Sequence, residues 1–293
     1  MGPLDLVRLS RLMERSEGRV ELAIALIDGP VALDHPDLAK STTREIQGKL
    51  SGKCSRSDTV ACTHATFVAG VLSARRGSAA PAICPGCTLL LRPIFAETAH
   101  GNGRAPSATA EELAAAIVDS VDAGARVLNL SAAVLQPSAQ GERELAEALD
   151  YAGHRGSITV AAAGNQGLVG SSVITRHPWV IPVAACDRLG RPMNESNLGA
   201  SIGRRGLSAP GDDITSLGTN GKPQTLGGTS AAAPFVTGAL ALLWSEFPGA
   251  NAAQIKWAVM QGGAPRRGVI APPRLDAWSA YLTMASSQPA RER

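Results

Sequence analysis

Ser230 stands in Gly227-Gly228-Thr229-Ser230-Ala231-Ala232-Ala233-Pro234, a run of tiny residues that leaves its hydroxyl free of bulky neighbours. Gly-Gly-Thr reads as a tight turn. The apolar stretch behind it, Phe235 to Leu243, is long and rich in Ala and Leu and predicts a buried helix. A nucleophilic hydroxyl needs such access, but a serine is inert at neutral pH without a base, and the base needs an orienting acid. The chain offers a candidate for each. Leu22 to Ile27 is a continuous apolar run that predicts a buried parallel strand ending at Asp28. The carboxyl end of a central strand is where open α/β sheets place their sites. His64 precedes apolar residues at 67, 68, 71 and 72, a helical spacing that predicts a histidine in the first turn of a helix packed on the sheet. An alcohol, an imidazole and a carboxylate together could perform nucleophilic catalysis.

In the order Asp, His, Ser these segments resemble the subtilisin-like serine peptidases, the subtilases of the S8 family. Ile27-Asp28-Gly29-Pro30, with His35-Pro36-Asp37-Leu38 downstream, is similar to the family's aspartate region. His64-Ala65-Thr66-Phe67-Val68-Ala69-Gly70 matches its His-Gly-Thr-His-Val-Ala-Gly motif, and Gly228-Thr229-Ser230-Ala231-Ala232-Ala233-Pro234-Phe235-Val236 its serine motif. A fourth landmark, Val160-Ala161-Ala162-Ala163-Gly164-Asn165-Gln166-Gly167, matches the motif whose asparagine donates to the oxyanion. The resemblance, over residues 20 to 260, implies catalytic Asp28, His64 and Ser230, and an oxyanion hole at Asn165. It also implies a substrate edge at Ser131, Ala132 and Ala133, and a P1 wall at Ala162, Ala163 and Gly164. The motifs depart from the family at Ala65, Phe67, Ala231 and the Gly29-Pro30 order. None of these changes removes a catalytic group, and together they mark an atypical branch.

The motif variants, the short amino terminus and a Cys-containing turn resemble the cyanobactin-type maturation proteases. They point to a processing peptidase acting on a polypeptide or precursor peptide. The alternative is a non-catalytic peptide-binding module on the same fold. No large insertion near His64 would shield an acyl-enzyme from water, so hydrolysis is expected rather than cyclisation. The loop matching a calcium site in relatives, Ala74 to Pro81, has two arginines and no carboxylate. No calcium is expected there; Gly211-Asp212-Asp213 is a candidate for a weak site but reads first as a turn, and no metal or cofactor is assigned.

The positioning elements alternate. Strands are predicted at 22–27, 88–95, 127–131, 157–162 and 179–185, and helices at 64–74, 108–123, 141–155, 230–247 and 251–260. This order predicts an α/β, three-layer subtilisin-like fold with a mostly parallel sheet between helices. The expected divisions are an extension over 1–20, in which residues 6 to 13 could form a short amphipathic helix over the sheet, one catalytic domain over 21–283 and a disordered tail over 284–293.

A net charge of +3 on 293 residues excludes a strongly basic nucleic-acid surface, and the Arg75-Arg76 and Arg204-Arg205 pairs read as solvated loop charges. No stretch is long and apolar enough to span a bilayer, and the amino terminus is too polar for a signal peptide, so a cytoplasmic protein is expected. The five cysteines do not make a fully paired framework. Cys84-Pro85-Gly86-Cys87 could hold a local bridge or two free thiols. Cys54 and Cys62 flank a short loop and could pair, and Cys62 lies two residues before His64.

Overall fold

The structure, a computed structural model, describes residues 2–97, 108–131, 139–263 and 269–287. Its centre is a seven-stranded sheet in the order β2-β3-β1-β4-β5-β6-β7. Five strands match the predicted apolar runs: β1 (Ala23–Asp28), β3 (Thr88–Pro93), β4 (Val127–Leu130), β5 (Ile158–Ala162) and β6 (Val180–Cys186). Two short strands that the pattern did not signal, β2 (Thr42–Glu45) and β7 (Leu207–Pro210), close the edges. All pairings within this sheet are parallel. A separate antiparallel hairpin is formed by β8 (Ile214–Leu217) and β9 (Pro223–Leu226).

Strand alternation sorts the core into two layers. Ile24 and Leu26 face one side, with Leu89, Leu91, Ile158, Val160, Ile181 and Val183. Ala23, Ala25 and Ile27 face the other, with Leu90, Leu128 and Leu130. The first side is covered by α3 (Val60–Ser73) and α8 (Thr229–Glu246), the second by α4 (Ala110–Asp122) and α5 (Ala139–His154). Each β1 residue is buried, as a strand packed on both faces must be. The three-layer α/β expectation therefore holds.

Caps set the helix limits. Thr59 accepts from the Cys62 N–H and starts α3 at Val60, so His64 sits in the second turn, not the first. Thr109 and Glu112 form a reciprocal capping box at α4, and Asn251 and Gln254 another at α9 (Ala252–Gln261).

Both ends reach further into the domain than the apolar pattern indicated. Residues 1–20 supply α1 (Pro3–Leu6) and α2 (Leu9–Met13), and Val7, Leu9 and Leu12 are fully buried in the core around α8. Helix α10 (Ala277–Ser287) passes the expected boundary at 284, because Met284 is buried beside α9 and α2. Arg76 is not the solvated charge the sequence suggested. Its guanidinium donates to the carbonyls of Met13, Ser16 and Ile83, tying the first helices to the loop after α3. Arg205 likewise donates to the Arg176 carbonyl.

If the first twenty residues are part of the domain, Leu12→Ala opens a core cavity and lowers the unfolding free energy by about 2–5 kcal/mol. Urea denaturation followed by circular dichroism measures this. Unchanged stability would mean that the segment is dispensable.

Candidate active site

Asp28, Ser131 and Asn165 lie at or just beyond the carboxyl ends of β1, β4 and β5, on adjacent strands. His64 and Ser230 come from α3 and α8, which pack against each other on one face of the sheet. The site therefore forms where the strand ends meet the two apolar helices.

Asp28 is completely buried. Its Oδ1 accepts from the Gly29 N–H at 2.7 Å and lies 2.9 Å from His64 Nδ1. Its Oδ2 has no hydrogen-bond partner among the described residues. A carboxylate can only accept, so Nδ1 carries the proton and Nε2 keeps its lone pair. That is the tautomer a general base needs. Burial pushes the His64 pKa down, but the attraction of Asp28 and the hydrogen bond to it outweigh burial and raise it above 6.5. The imidazole remains 26% exposed, enough for a substrate to reach.

Gly29 explains how the acid comes so close to the histidine helix. A Cβ at Gly29 would stand 2.4 Å from the Ala61 carbonyl oxygen, so only glycine lets the β1 exit touch the first turn of α3.

Ser230 is the second residue of α8, after an N-cap Gly228 with φ of 97°. Every residue from Thr229 to Ser245 is buried except Ser230. The helix thus delivers one accessible hydroxyl from an otherwise apolar rod. Pro234 has no N–H to donate to the Ser230 carbonyl, which loosens the helix at the nucleophile. The Ser230 hydroxyl donates to the Ser131 carbonyl at 3.2 Å. In this conformation it is bonded at the end of β4 rather than to the imidazole.

Asn165 is latched to the nucleophile's helix. Its Oδ1 accepts from the Thr229 N–H at 2.8 Å, and the Thr229 hydroxyl accepts from the Gly164 N–H at 3.1 Å. With the oxygen committed, the side-chain N–H₂ remains as donor. A Cβ on Gly228 would lie 2.8 Å from Asn165 Nδ2, so Gly228 is required for space as well as for its left-handed backbone. The left-handed residues of this turn are Gly164 and Gly167, not Asn165. Asn165 is therefore present for its amide and not for its backbone.

Ala162, Ala163 and Gly164, expected to wall a P1 pocket, end β5 and open this turn. Ser131 is buried after β4. Ala132 and Ala133 lie outside the described residues.

Two asparagines went unnoticed in the sequence. Asn129 is fully buried, donates to the Ser131 hydroxyl at 2.9 Å and accepts from the Thr237 hydroxyl at 2.8 Å, joining the substrate edge to α8. Asn197 accepts from the Gln166 and Leu168 N–H groups and donates to the Ala163 carbonyl, which fixes the turn around Asn165. Nothing near Asn197 in sequence marks it. Asn129 carried a signal, a polar residue inside an apolar strand.

Cys54 and Cys62 form a disulfide, whereas Cys84, Cys87 and Cys186 are free and buried. The Glu97 carboxylate lies within 4.8 Å of the disulfide sulfurs. While the S–S bond exists these sulfurs are not thiolates and cannot ligate a metal. Among the described residues, no helix is long and apolar enough to cross a membrane.

Comparison with known proteins agrees with this geometry. The sequence profile of the subtilase family matches residues 20–272. The thermophilic serine proteinase of Bacillus sp. (strain AK1) is 33% identical over 240 residues, 81% of this chain and 55% of that protein. Thermitase of Thermoactinomyces vulgaris is 29% identical over 243 residues, 80% of this chain and 78% of its own. The chain spans about half of the first of these relatives. Among solved structures, a mutant of the protease domain of PatA superposes with a TM-score of 0.84 at 29% identity, covering 92% of this chain and 98% of that one. The prenylagaramide maturation protease PagA gives 0.82 at 27% identity, covering 96% and 99%. With more than half its length matched and the motif residues assembled at one site, the chain belongs to the subtilase family.

Proposed function

We propose that this chain is a serine endopeptidase that acts through an acyl-enzyme on Ser230 and that its natural substrate is a precursor peptide. The observation that carries the reading is the buried Asp28–His64 pair, together with a serine at the one unburied position in the apolar length of α8.

In this mechanism the substrate lies extended along Ser131. Its N–H takes the Ser131 carbonyl, and the displaced Ser230 hydroxyl turns toward His64. Nε2 removes the proton as Oγ attacks the scissile carbonyl. Asp28 keeps the imidazole in the required tautomer and stabilises its positive form. The Asn165 N–H₂ and the Ser230 backbone N–H receive the oxyanion. The imidazolium then protonates the leaving amine, and water repeats the sequence to release the acid. The small side chains of Ala162 and Ala163 put no charge on the P1 wall. Processing of a precursor is supported by PagA and PatA, described as maturation proteases for prenylagaramide and patellamide. A non-catalytic binding module would have no need of a buried Asp–His pair.

The reading is tested by labelling with a fluorophosphonate and by cleavage of a candidate precursor beside a generic peptide library. Wild type is expected to label and Ser230→Ala not to. An unlabelled wild type would end the peptidase reading, and equal cleavage of precursor and library would end the processing reading. Asn165→Ala should lower kcat by about 10²–10³-fold with little change in KM.

His64 acts as a base only when neutral, and Asp28 raises its pKa above 6.5. As pH falls through that raised pKa the base is lost. The acidic limb of kcat/KM should therefore lie above pH 6.5, and Asp28→Asn should lower kcat by about 10⁴-fold by disturbing the tautomer. A stopped pH series checks both, and a limb below 6.5 would contradict the pairing.

A further inference from the structure

The Cys54–Cys62 disulfide joins the two elements whose relative placement sets the catalytic pair. On one side, the strand exit after Asp28 is gripped by the loop that carries Cys54. The Val31 N–H donates to the Gly52 carbonyl at 2.8 Å, and the Cys54 N–H donates to the Val31 carbonyl at 3.0 Å. The Cys54 sulfur also lies 3.3 Å from the Pro30 carbonyl oxygen, two residues beyond Asp28. On the other side, Cys62 is fully buried in the first turn of α3, two residues before His64. The loop is closed from outside by Glu97, whose carboxylate accepts from the Ser55 N–H, the Ser55 hydroxyl and the Arg56 N–H. The covalent bond thus runs from the gripped end of β1 to the start of the histidine helix, alongside the 2.9 Å hydrogen bond between Asp28 and His64.

We propose that the Cys54–Cys62 disulfide is a positioning element of the Asp28–His64 pair and places the peptidase activity under thiol control. Formed, it holds the β1 exit and the first turn of α3 together. Reduced, the loop is held only by hydrogen bonds and by the Glu97 clasp, and the alignment of acid and base loosens. The reductant is a dithiol. Its thiolate attacks the half-buried Cys54 sulfur, the S–S bond breaks and Cys62 leaves as thiolate. The second thiol of the reagent then closes to a cyclic disulfide. Two electrons and two protons pass to the protein, which ends with two thiols. Cys84, Cys87 and Cys186 are free, so this is the one disulfide in the chain that a reductant can cut. The inference rests on the peptidase reading.

The test uses the full chain purified without reductant. After dithiol treatment of the folded protein, removal of the reagent, unfolding and alkylation, mass measurement should count three free thiols in the untreated sample and five in the treated one. Reduction should lower kcat by about tenfold or more, the penalty of a small misplacement, while KM stays within about twofold. Reoxidation should restore it. The double variant Cys54→Ser/Cys62→Ser should match the reduced enzyme and ignore the reductant, and Cys84→Ser/Cys87→Ser should still respond.

A bond that serves only stability would lower Tm and leave kcat unchanged well below Tm. The acidic limb supplies a further readout. Asp28 is the charge that acts on His64, whereas Glu97, Arg56 and Asp58 sit on the loop and its clasp. A looser Asp28–His64 contact should shift the limb to lower pH. Five thiols in the untreated protein, or full kcat after verified reduction, would overturn the proposal. An oxidised wild type that neither labels nor cleaves would instead sink the peptidase reading and this inference with it.

Discussion

The site depends on a carboxylate that water cannot reach. Asp28 is fully buried at the end of a central strand, with the Gly29 N–H and His64 Nδ1 as partners of one oxygen and, among the described residues, none on the other. An ionised group in such a place is tolerated only when paired, and removing one partner of a buried pair costs about 3–5 kcal/mol. The same lack of solvent makes the pairing directional. His64 cannot turn away without stranding the carboxylate, so the fold holds the imidazole in one tautomer before any substrate arrives. The protein gives up stability at Asp28, and in return the orientation that catalysis would need already exists in the resting state.

Everything around the pair serves close approach. Gly29 removes the Cβ that would hold β1 away from α3, and Gly228 removes the one that would strike the Asn165 amide. The Thr229–Asn165 and Thr229–Gly164 bonds then lock the Asn165 turn to the helix that carries Ser230. At Gly29 the requirement is steric, and at Gly228 steric need adds to a left-handed backbone. Each stands where two backbones, or a backbone and an amide, must come nearer than any side chain allows. Their order after the acid, Gly29 before Pro30, follows from this, since Gly29 is the position that meets the Ala61 carbonyl.

What was legible in the sequence is what local pattern encodes. Apolar runs marked β1, β3 to β6 and α8, and the Asp28, His64, Ser230 and Asn165 motifs pointed to residues that the fold brings to one end of the sheet. The histidine helix was misjudged by a turn, because its signal is the Thr59 cap and the apolar spacing begins only at Phe67. The strands β2 and β7 were missed because neither stands out by apolar alternation: β2 is polar throughout, and β7 is four residues containing Ser and Pro. Asn197 was illegible for a deeper reason. It arranges a turn some thirty residues earlier, and only the parallel β5–β6 pairing and the return of the chain bring the two together. A short helix within residues 6 to 13 was legible from its pattern, but that Leu9 and Leu12 pack beside α8, far along the chain, was not.

The loop after α3 is anchored by an arginine that the sequence alone reads as solvated. The resemblance to relatives directs attention to calcium there, but this loop offers no carboxylate. The structure instead turns the carbonyls of Met13, Ser16 and Ile83 toward the Arg76 guanidinium, with Glu17 at 3.8 Å. Converging carbonyls are what a bound cation would ask for, and a guanidinium supplies the positive charge from within. Burial lowers the Arg76 pKa, with Glu17 and Cys84 opposing it, but arginine starts so high that the charge persists at any physiological pH. A planar fork also bonds in fixed directions, which a spherical ion does not. Arg76 therefore ties the end of α2 and the segment after it to the chain that leads into β3.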